Sequence, residues 1–162
     1  MNSIQSVGSN YLINGRYTNS VFYVSGEDGS IIWQLDGQSE GGNFTLSPNE
    51  KVFQFQHDAR ATNIVGDNFD LSVFNNNEGD DPTGAPPSEL ILLSISSNSL
   101  RNTTSMHPGN WTAVLQRKIG NEEPIYTGSM GSYQPIIPNS NGHQLGTYGT
   151  VSMIKVWSCV FA

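Results

Sequence analysis

The chain carries few charged residues, and most of those are acidic. Among its 162 residues there are 7 Lys and Arg against 14 Asp and Glu, a net charge of −7 at pH 7. The basic residues form no cluster, so the phosphate backbone of a nucleic acid or an anionic lipid surface would be repelled. We therefore expect no nucleic-acid partner.

Long apolar runs and cysteines are also scarce. No segment approaches the ~20 apolar residues that a membrane-spanning helix needs. The N-terminus has neither the basic segment nor the apolar core of a signal peptide. Cys159 is the single cysteine, which excludes an intrachain disulfide. We expect no membrane span and no disulfide framework.

Motifs for metals and nucleotides are absent as well. The histidines at 57, 107 and 143 are far apart and show none of the short spacings of zinc sites. The run Glu78-Gly-Asp80-Asp81 is not arranged as a calcium loop, and Gly41-Gly42 is not followed by the Lys-Ser or Lys-Thr of a phosphate-binding loop. We expect no metal and no cofactor.

Turn residues are abundant between short apolar segments. Helical periodicity is absent over any usable length, and the chain contains 17 Gly and 8 Pro. This pattern predicts an all-β fold, with a surface loop from Glu78 to Pro87. The predicted strands fall into three groups: Tyr11–Ile13, Val21–Val24 and Ile31–Leu35; then Leu71–Phe74, Leu90–Ile95 and Trp111–Leu115; then His143–Leu145 and Ser152–Trp157.

Two all-β architectures fit these groups. Each group resembles a meander of the kind that forms a propeller blade, and two to three such blades would make a partial β-propeller. An irregular β-sandwich would produce the same local patterns. Two prolines between Tyr133 and Gly142 exclude a central strand there. Periodicity leaves both architectures open.

His57 is the strongest candidate for a reactive side chain. A period of two places Phe53, Phe55 and His57 on one face of a predicted strand, which would deliver the histidine inward. Arg60 lies three positions further on, so an extended strand would point it away from His57 and towards the side of Asp58. This parity predicts an ion pair between Asp58 and Arg60.

Three motifs in a fixed order carry a family resemblance. They are Gly29-Ser-Ile-Ile-Trp33-Gln-Leu35-Asp-Gly37, then Phe53-Gln-Phe-Gln-His57-Asp-Ala-Arg60, then Ser72-Val-Phe74-Asn-Asn76. Together they resemble the arylsulfotransferase-like family of β-propellers, particularly its fungal branch. Further matches, from Asn2-Ser-Ile4 to Tyr148-Gly149, extend the resemblance over most of the chain. The resemblance favours the propeller over the sandwich.

The resemblance implies a funnel-like propeller of about six blades with histidines and an arginine at its central opening. Residues 1–162 would then be a single incomplete segment of it, with open blade edges through which copies could self-associate. Bacterial members transfer a sulfuryl group from an aryl sulfate to a phenol through a sulfo-histidine, without a nucleotide donor. The resemblance also implies an extracellular or secretory location.

Site roles follow from the same resemblance. His57 would be catalytic, either as nucleophile or as stabiliser of the sulfuryl oxygens, because neutral imidazole is nucleophilic near pH 7. Arg16 and Arg60 would bind the substrate through those negative oxygens, since cations aimed at them lower the barrier. Each role has a structural alternative. His57 would be a hydrogen-bonded histidine of the core, Arg16 an ordinary surface or blade-packing residue, and Arg60 the partner of Asp58 in an ion pair.

Two departures from the family pattern keep a second function open. The family has a histidine just before Asn-Ser-Ile, where this chain has Met1, and it commonly has Ser-Arg-His where this chain has Gly15-Arg16-Tyr17. The first hypothesis is an arylsulfotransferase-type enzyme, or a fragment of one that is inactive at this length, whose partners are aryl sulfates and phenolic small molecules. The second is a non-catalytic propeller segment that binds carbohydrate or protein through its loops.

Overall fold

The computed structural model describes residues 1–38, 42–47, 52–77, 84–97, 111–120, 124–128, 131–135, 144–149 and 154–159. In these ranges the regular secondary structure is entirely β, so the all-β prediction is confirmed. No helix there is long and apolar enough to cross a membrane. The strands are β1 (Ser3–Val7), β2 (Asn10–Gly15), β3 (Ser20–Val24), β4 (Ile31–Asp36), β5 (Phe44–Ser47), β6 (His57–Val65), β7 (Asn68–Asn75), β8 (Glu89–Ser97), β9 (Trp111–Ile119), β10 (Ser132–Pro135), β11 (Gln144–Gly149) and β12 (Ile154–Cys159).

The first sheet is a four-stranded antiparallel meander in the order β1-β2-β3-β4. Alternation along its strands turns one apolar face inward, where Leu12, Val21 and Trp33 are fully buried. The sequence patterns predicted β2, β3 and β4 but not β1, because Ser3–Val7 mixes polar and apolar residues. Pairing of Ser3 with Asn14 places β1 beside β2 and completes the four strands.

The second sheet has the order β5-β9-β8-β7-β6. Strands β6 to β9 form another antiparallel meander, and β5 joins the outer edge in parallel with β9. Because successive side chains of β7 point to opposite faces, Leu71 and Val73 enter the core shared with the first sheet, whereas Phe74 joins a smaller apolar cluster on the other face. Apolar residues therefore cover both faces of this sheet.

The third sheet, β10-β11-β12, is also antiparallel. Its β10 packs against β6 and β7, as β1 and β2 pack against β6. Gly131 stands at this contact with φ of 129°, and a Cβ there would lie 2.3 Å from Cε1 of Phe74, so the approach requires glycine. Neighbouring sheets therefore contact each other through their first strands, as neighbouring blades of a propeller do. Pro135 ends an edge strand, in agreement with the prediction for this proline-bearing segment.

An aromatic cluster forms the centre of the larger core. The Trp33 ring lies 5.4 Å from that of Tyr23, 5.0 Å from that of Phe44 and 6.1 Å from that of Phe69, measured between centroids. Trp111 packs against the same cluster, so both tryptophans contribute to packing. His107 and His143 lie outside the described residues, and so does most of the predicted acidic loop, at 78–83.

The opposite face of the first sheet carries apolar side chains that stay accessible. Ile4 is 51 % exposed and Tyr11 is 43 % exposed. Ile4 pairs across the strands with Ile13, which pairs in turn with Phe22, so these three side chains form one row. Self-association through such a face stays a prediction.

Candidate functional site

His57 is the first residue of β6, not the last residue of an apolar strand as the period of two predicted. Residues 52–56 have no regular strand structure, and Phe55 has a positive φ of 50°. A left-handed residue interrupts the alternation of an extended chain. Phe53 is consequently buried while Phe55 is only half-buried, and the predicted shared face does not exist.

Gln56 anchors the backbone immediately before His57. Its side chain is fully buried, and its Nε2 donates to Asn14 Oδ1 at 2.8 Å, to the Gly15 carbonyl at 3.1 Å and to the Ser20 carbonyl at 3.2 Å. The Gln56 carbonyl in turn accepts from the Asn2 side chain at 2.8 Å. One amide therefore ties the start of β6 to the first sheet.

A β-bulge follows His57 and changes the direction of the next side chains. His57 pairs with Phe74 but Arg60 pairs with Ser72, so β6 has one residue more than β7 in this stretch. Asp58 has the irregular backbone of this bulge, with a positive φ of 48°. Phe74 and Ser72 are two positions apart and share a face, and so do their partners His57 and Arg60. The prediction that Arg60 points away from His57 was wrong, because alternation does not continue through a bulge.

The predicted ion pair between Asp58 and Arg60 is present. Arg60 Nε donates to Asp58 Oδ1 at 2.7 Å, and Arg60 Nη2 lies 2.6 Å from the same oxygen. The pair links the bulge residue to the regular part of β6. Contact of Arg60 with substrate stays a prediction.

Asn76 holds the imidazole of His57 in one orientation. His57 Nδ1 lies 2.7 Å from Asn76 Oδ1, while Asn76 Nδ2 donates to the Thr127 carbonyl at 2.7 Å and to Thr127 Oγ1 at 2.9 Å. A carbonyl can only accept, so the amide must present Oδ1 to the ring. It follows from this hydrogen-bond network that Nδ1 carries the proton and that the lone pair of the neutral ring is on Nε2.

Arg16 lies in the turn after β2 and meets the same segment. Its Nη2 donates to the Gly128 carbonyl, next to Thr127. The guanidinium is 4.7 Å from the ring centroid of Tyr17 and 5.2 Å from that of Phe55, within cation-π range. Its Nε is buried and has no hydrogen-bond partner among the residues that the structure describes. Residues 124–128 thus bring Arg16 of the first sheet and Asn76 of the second into one site.

The electrostatics of the site favour the neutral histidine. Burial is the main cause that lowers the pKa of His57 from its ordinary value. The hydrogen bond to Asn76 acts in the opposite direction, while the positive charge of Arg16 lowers the pKa further. A hydrogen bond to the Phe55 backbone and the charge of Asp58 make smaller contributions that raise it. The site therefore combines an uncharged imidazole with a permanent cation. In the described part of the chain, no group of three or more His, Cys, Asp or Glu side chains could hold a metal ion.

Comparison with known proteins identifies the family. The model of the family described as Arylsulfotransferase (ASST) matches residues 1–158. The chain belongs to the arylsulfotransferase family. The resemblance drawn from the motif order is thereby confirmed. No curated protein and no solved structure gives a significant match.

The lowered pKa of His57 predicts a pH dependence of stability in this arylsulfotransferase family member. The unfolded imidazole has its ordinary pKa of about 6.5, and the folded value is lower. Between the two values the unfolded state binds more protons, so the free energy of unfolding decreases as pH falls through that window, and above about pH 6.5 His57 contributes no dependence. Urea unfolding of wild type and His57→Ala at about pH 7.5 and about pH 5.5 measures it. Equal pH dependence in both proteins would contradict the assignment.

The site also contains residues that the sequence patterns did not single out. Asn76 belongs to the third family motif, and a run of asparagines at a strand end is a signal for side chains that bond to nearby groups. Gln56 belongs to the second motif, but its burial could not be expected of a glutamine. Thr127 follows Tyr126 in a stretch without any recognisable motif, so sequence offered no signal for it.

Proposed function

We propose that the chain transfers a sulfuryl group from an aryl sulfate to a phenolic acceptor, with His57 as the nucleophile. Membership of the arylsulfotransferase family supports the reaction class. The observation that carries the proposal is the position of the His57 imidazole, whose Nδ1 lies 2.7 Å from Asn76 Oδ1 and which is close enough to Arg16 for that charge to lower its pKa. A nucleophile of this kind needs its lone pair on the other nitrogen.

The reaction proceeds in two displacements at sulfur. His57 Nε2 attacks the sulfur of the donor, an N–S bond forms, and the S–O bond to the aryl group breaks with its electron pair leaving on the phenolate. The phenol oxygen of the acceptor then attacks sulfur, its proton passes to the departed phenolate or to water, and the N–S electron pair returns to Nε2. In between, the sulfated ring carries a positive charge that the Nδ1–H bond to Asn76 Oδ1 stabilises.

Arg16 is suited to bind the sulfuryl oxygens. Its guanidinium is positively charged and lies close enough to His57 to lower the pKa of the imidazole. Within the described part of the chain, its buried Nε–H has no hydrogen-bond partner. A planar fork of N–H donors matches a tetrahedral oxyanion group. Arg60 is already bonded to Asp58, and we assign its main effect to the shape of the bulge at the start of β6.

A direct assay tests the proposed reaction. The protein is incubated with 4-nitrophenyl sulfate and phenol, without any nucleotide sulfate, and nitrophenolate and phenyl sulfate are measured. We expect both products to form only when the protein is present. Mass spectrometry of the peptide with His57, taken after incubation with donor alone, should show a sulfated imidazole. Turnover without this adduct would assign His57 to stabilising the oxyanion instead.

Removal of the Arg16 guanidinium should weaken the binding of the donor. We expect Arg16→Ala to raise KM for 4-nitrophenyl sulfate by about 10-fold or more, since a partly buried charge-assisted hydrogen bond contributes about 1.5–3 kcal/mol. Arg16→Lys should recover part of the loss because the charge remains. Arg117→Ala, which removes an exposed arginine of β9, is the matched control and should leave KM unchanged. Equal KM values in wild type and Arg16→Ala would remove Arg16 from the binding site.

One observation favours a second candidate function, binding of carbohydrate without catalysis. Tyr17 occupies the position where the family pattern has a histidine, and the residue is 81 % exposed although its ring contacts the Arg16 guanidinium. An exposed aromatic ring with a polar end is a suitable stacking surface for a sugar. Absence of turnover together with Tyr17-dependent retention on immobilised polysaccharide would support this function instead.

A further inference from the structure

We propose that Asn76 is a positioning residue that sets the tautomer of His57, with Thr127 as the group that prevents the Asn76 amide from rotating. The inference rests on the proposed function only in its consequence for activity, because the tautomer itself can be measured without turnover. Neither residue was predicted to belong to the site from sequence.

The orientation of the Asn76 amide is determined by its surroundings. Asn76 is 3 % exposed and Thr127 is 2 % exposed, so water is not available as a substitute partner. If the amide were rotated by half a turn, Oδ1 would face the Thr127 carbonyl oxygen and two acceptors would oppose each other. The observed orientation satisfies every polar atom of the amide.

Thr127 is itself held in place by the second sheet. Its Oγ1 lies 2.9 Å from Ser88 Oγ, and its backbone N–H donates to the same Ser88 oxygen at 3.0 Å. Ser88 immediately precedes β8, and its own N–H donates to the Ile125 carbonyl at 2.8 Å. The segment that orients Asn76 is therefore attached to a strand of the core, which keeps the Thr127 carbonyl at a constant position.

This arrangement opposes the ordinary preference of histidine. In water the neutral side chain favours the proton on Nε2, which would leave the lone pair on Nδ1. The Asn76 oxygen, 2.7 Å from Nδ1, accepts only from a protonated Nδ1 and so reverses that preference. The lone pair on Nε2, which reacts in the proposed mechanism, therefore depends on the hydrogen bond between Nδ1–H and Asn76.

Nitrogen NMR of the folded protein tests the tautomer directly. In wild type labelled with 15N-histidine at neutral pH, we expect His57 to show a protonated Nδ1 and an unprotonated Nε2. In Asn76→Ala the proton should move predominantly to Nε2. Asn75→Ala is the matched control, because Asn75 is the adjacent buried asparagine and its Oδ1 accepts from the Gln54 N–H instead. Its His57 signals should match those of wild type.

A second variant tests the contact if Asn76→Ala does not fold. Asn76→Asp retains an oxygen towards Nδ1 and adds a negative charge, so the Nδ1–H tautomer should persist and the pKa of His57 should rise. Thr127→Val removes Oγ1 but keeps the carbonyl and should leave the tautomer unchanged. An Nε2–H tautomer in wild type, or an unshifted His57 pKa in Asn76→Asp, would overturn the proposal.

Activity separates this inference from the proposed function. If both hold, kcat of Asn76→Ala should fall by about 10-fold or more while KM for the donor changes little, because donor binding depends on Arg16. A tautomer shift in a protein without turnover would support the role of Asn76 and refute the reaction. Turnover with no effect of Asn76→Ala on either tautomer or kcat would refute the role of Asn76 alone.

Discussion

Replacement of His57 by alanine is expected to lower the rate of sulfuryl transfer by at least ~100-fold, the largest effect of any single substitution in the site. In the proposed mechanism, the substitution removes the nitrogen that carries the sulfuryl group between donor and acceptor. Without it, transfer requires direct attack of one phenol on the ester of another, with no covalent intermediate to divide the barrier. The rate is measured as nitrophenolate release under saturating phenol.

Two controls accompany this measurement. Thr62→Ala alters another half-buried residue of β6 and should retain the wild-type rate. Added imidazole should restore part of the activity of His57→Ala if the lost group is a nucleophile, because the free ring can enter the space and accept the sulfuryl group. A wild-type rate in His57→Ala would exclude His57 from the mechanism.

Gln56→Leu is expected to produce the largest loss of stability, about 2–4 kcal/mol in the free energy of unfolding. The substitution preserves volume but removes the amide that donates to Asn14 Oδ1 and to the carbonyls of Gly15 and Ser20. Asn14 and Ser20 are fully buried, so their oxygens would lose the donor without gaining water. Urea unfolding followed by tryptophan fluorescence measures the loss. The comparison requires that the free energy of unfolding has the same slope against urea concentration in both proteins.

Gln54→Leu provides the matched control for that experiment. Gln54 lies two residues earlier, is half-buried, and its side-chain oxygen accepts one hydrogen bond, from Gln38. Its replacement should cost about 1 kcal/mol or less. Similar losses for both variants would show that the buried amide of Gln56 has no special part in joining the first two sheets.

The sequence predicted the second and third motifs of the site without predicting how they meet. His57 and Asn76 both belong to motifs that carry the family resemblance, but nothing in the sequence placed Asn76 in the site. Their contact depends on the pairing of β6 with β7, which places His57 opposite Phe74 and so close to Asn76. Register is determined by the whole sheet and cannot be inferred from either segment alone.

The prediction from side-chain alternation along the strand was wrong where the backbone departs from regular strand geometry. Phe55 and Asp58 both have positive φ, on either side of the Gln56-His57 pair. Neither residue is a glycine, so composition offered no sign of a left-handed conformation at these positions. Such strain persists only where surrounding contacts impose it, here the buried hydrogen bonds of Gln56 and the ion pair of Asp58.

By itself the sequence determined the strand-rich character of the chain and its family, and it predicted His57 as the reactive side chain. Turn residues between short apolar segments specify strands locally, and ordered motifs such as Gln56-His57-Asp58 mark the family without any knowledge of contacts. Only the tertiary structure decided the face on which Arg60 lies and the partner of the imidazole, since both depend on the pairing of β6 with β7 and on the bulge in it. Thr127 reaches Asn76 across 51 positions of sequence. A contact over that separation arises from the packing of sheets, which local patterns do not encode.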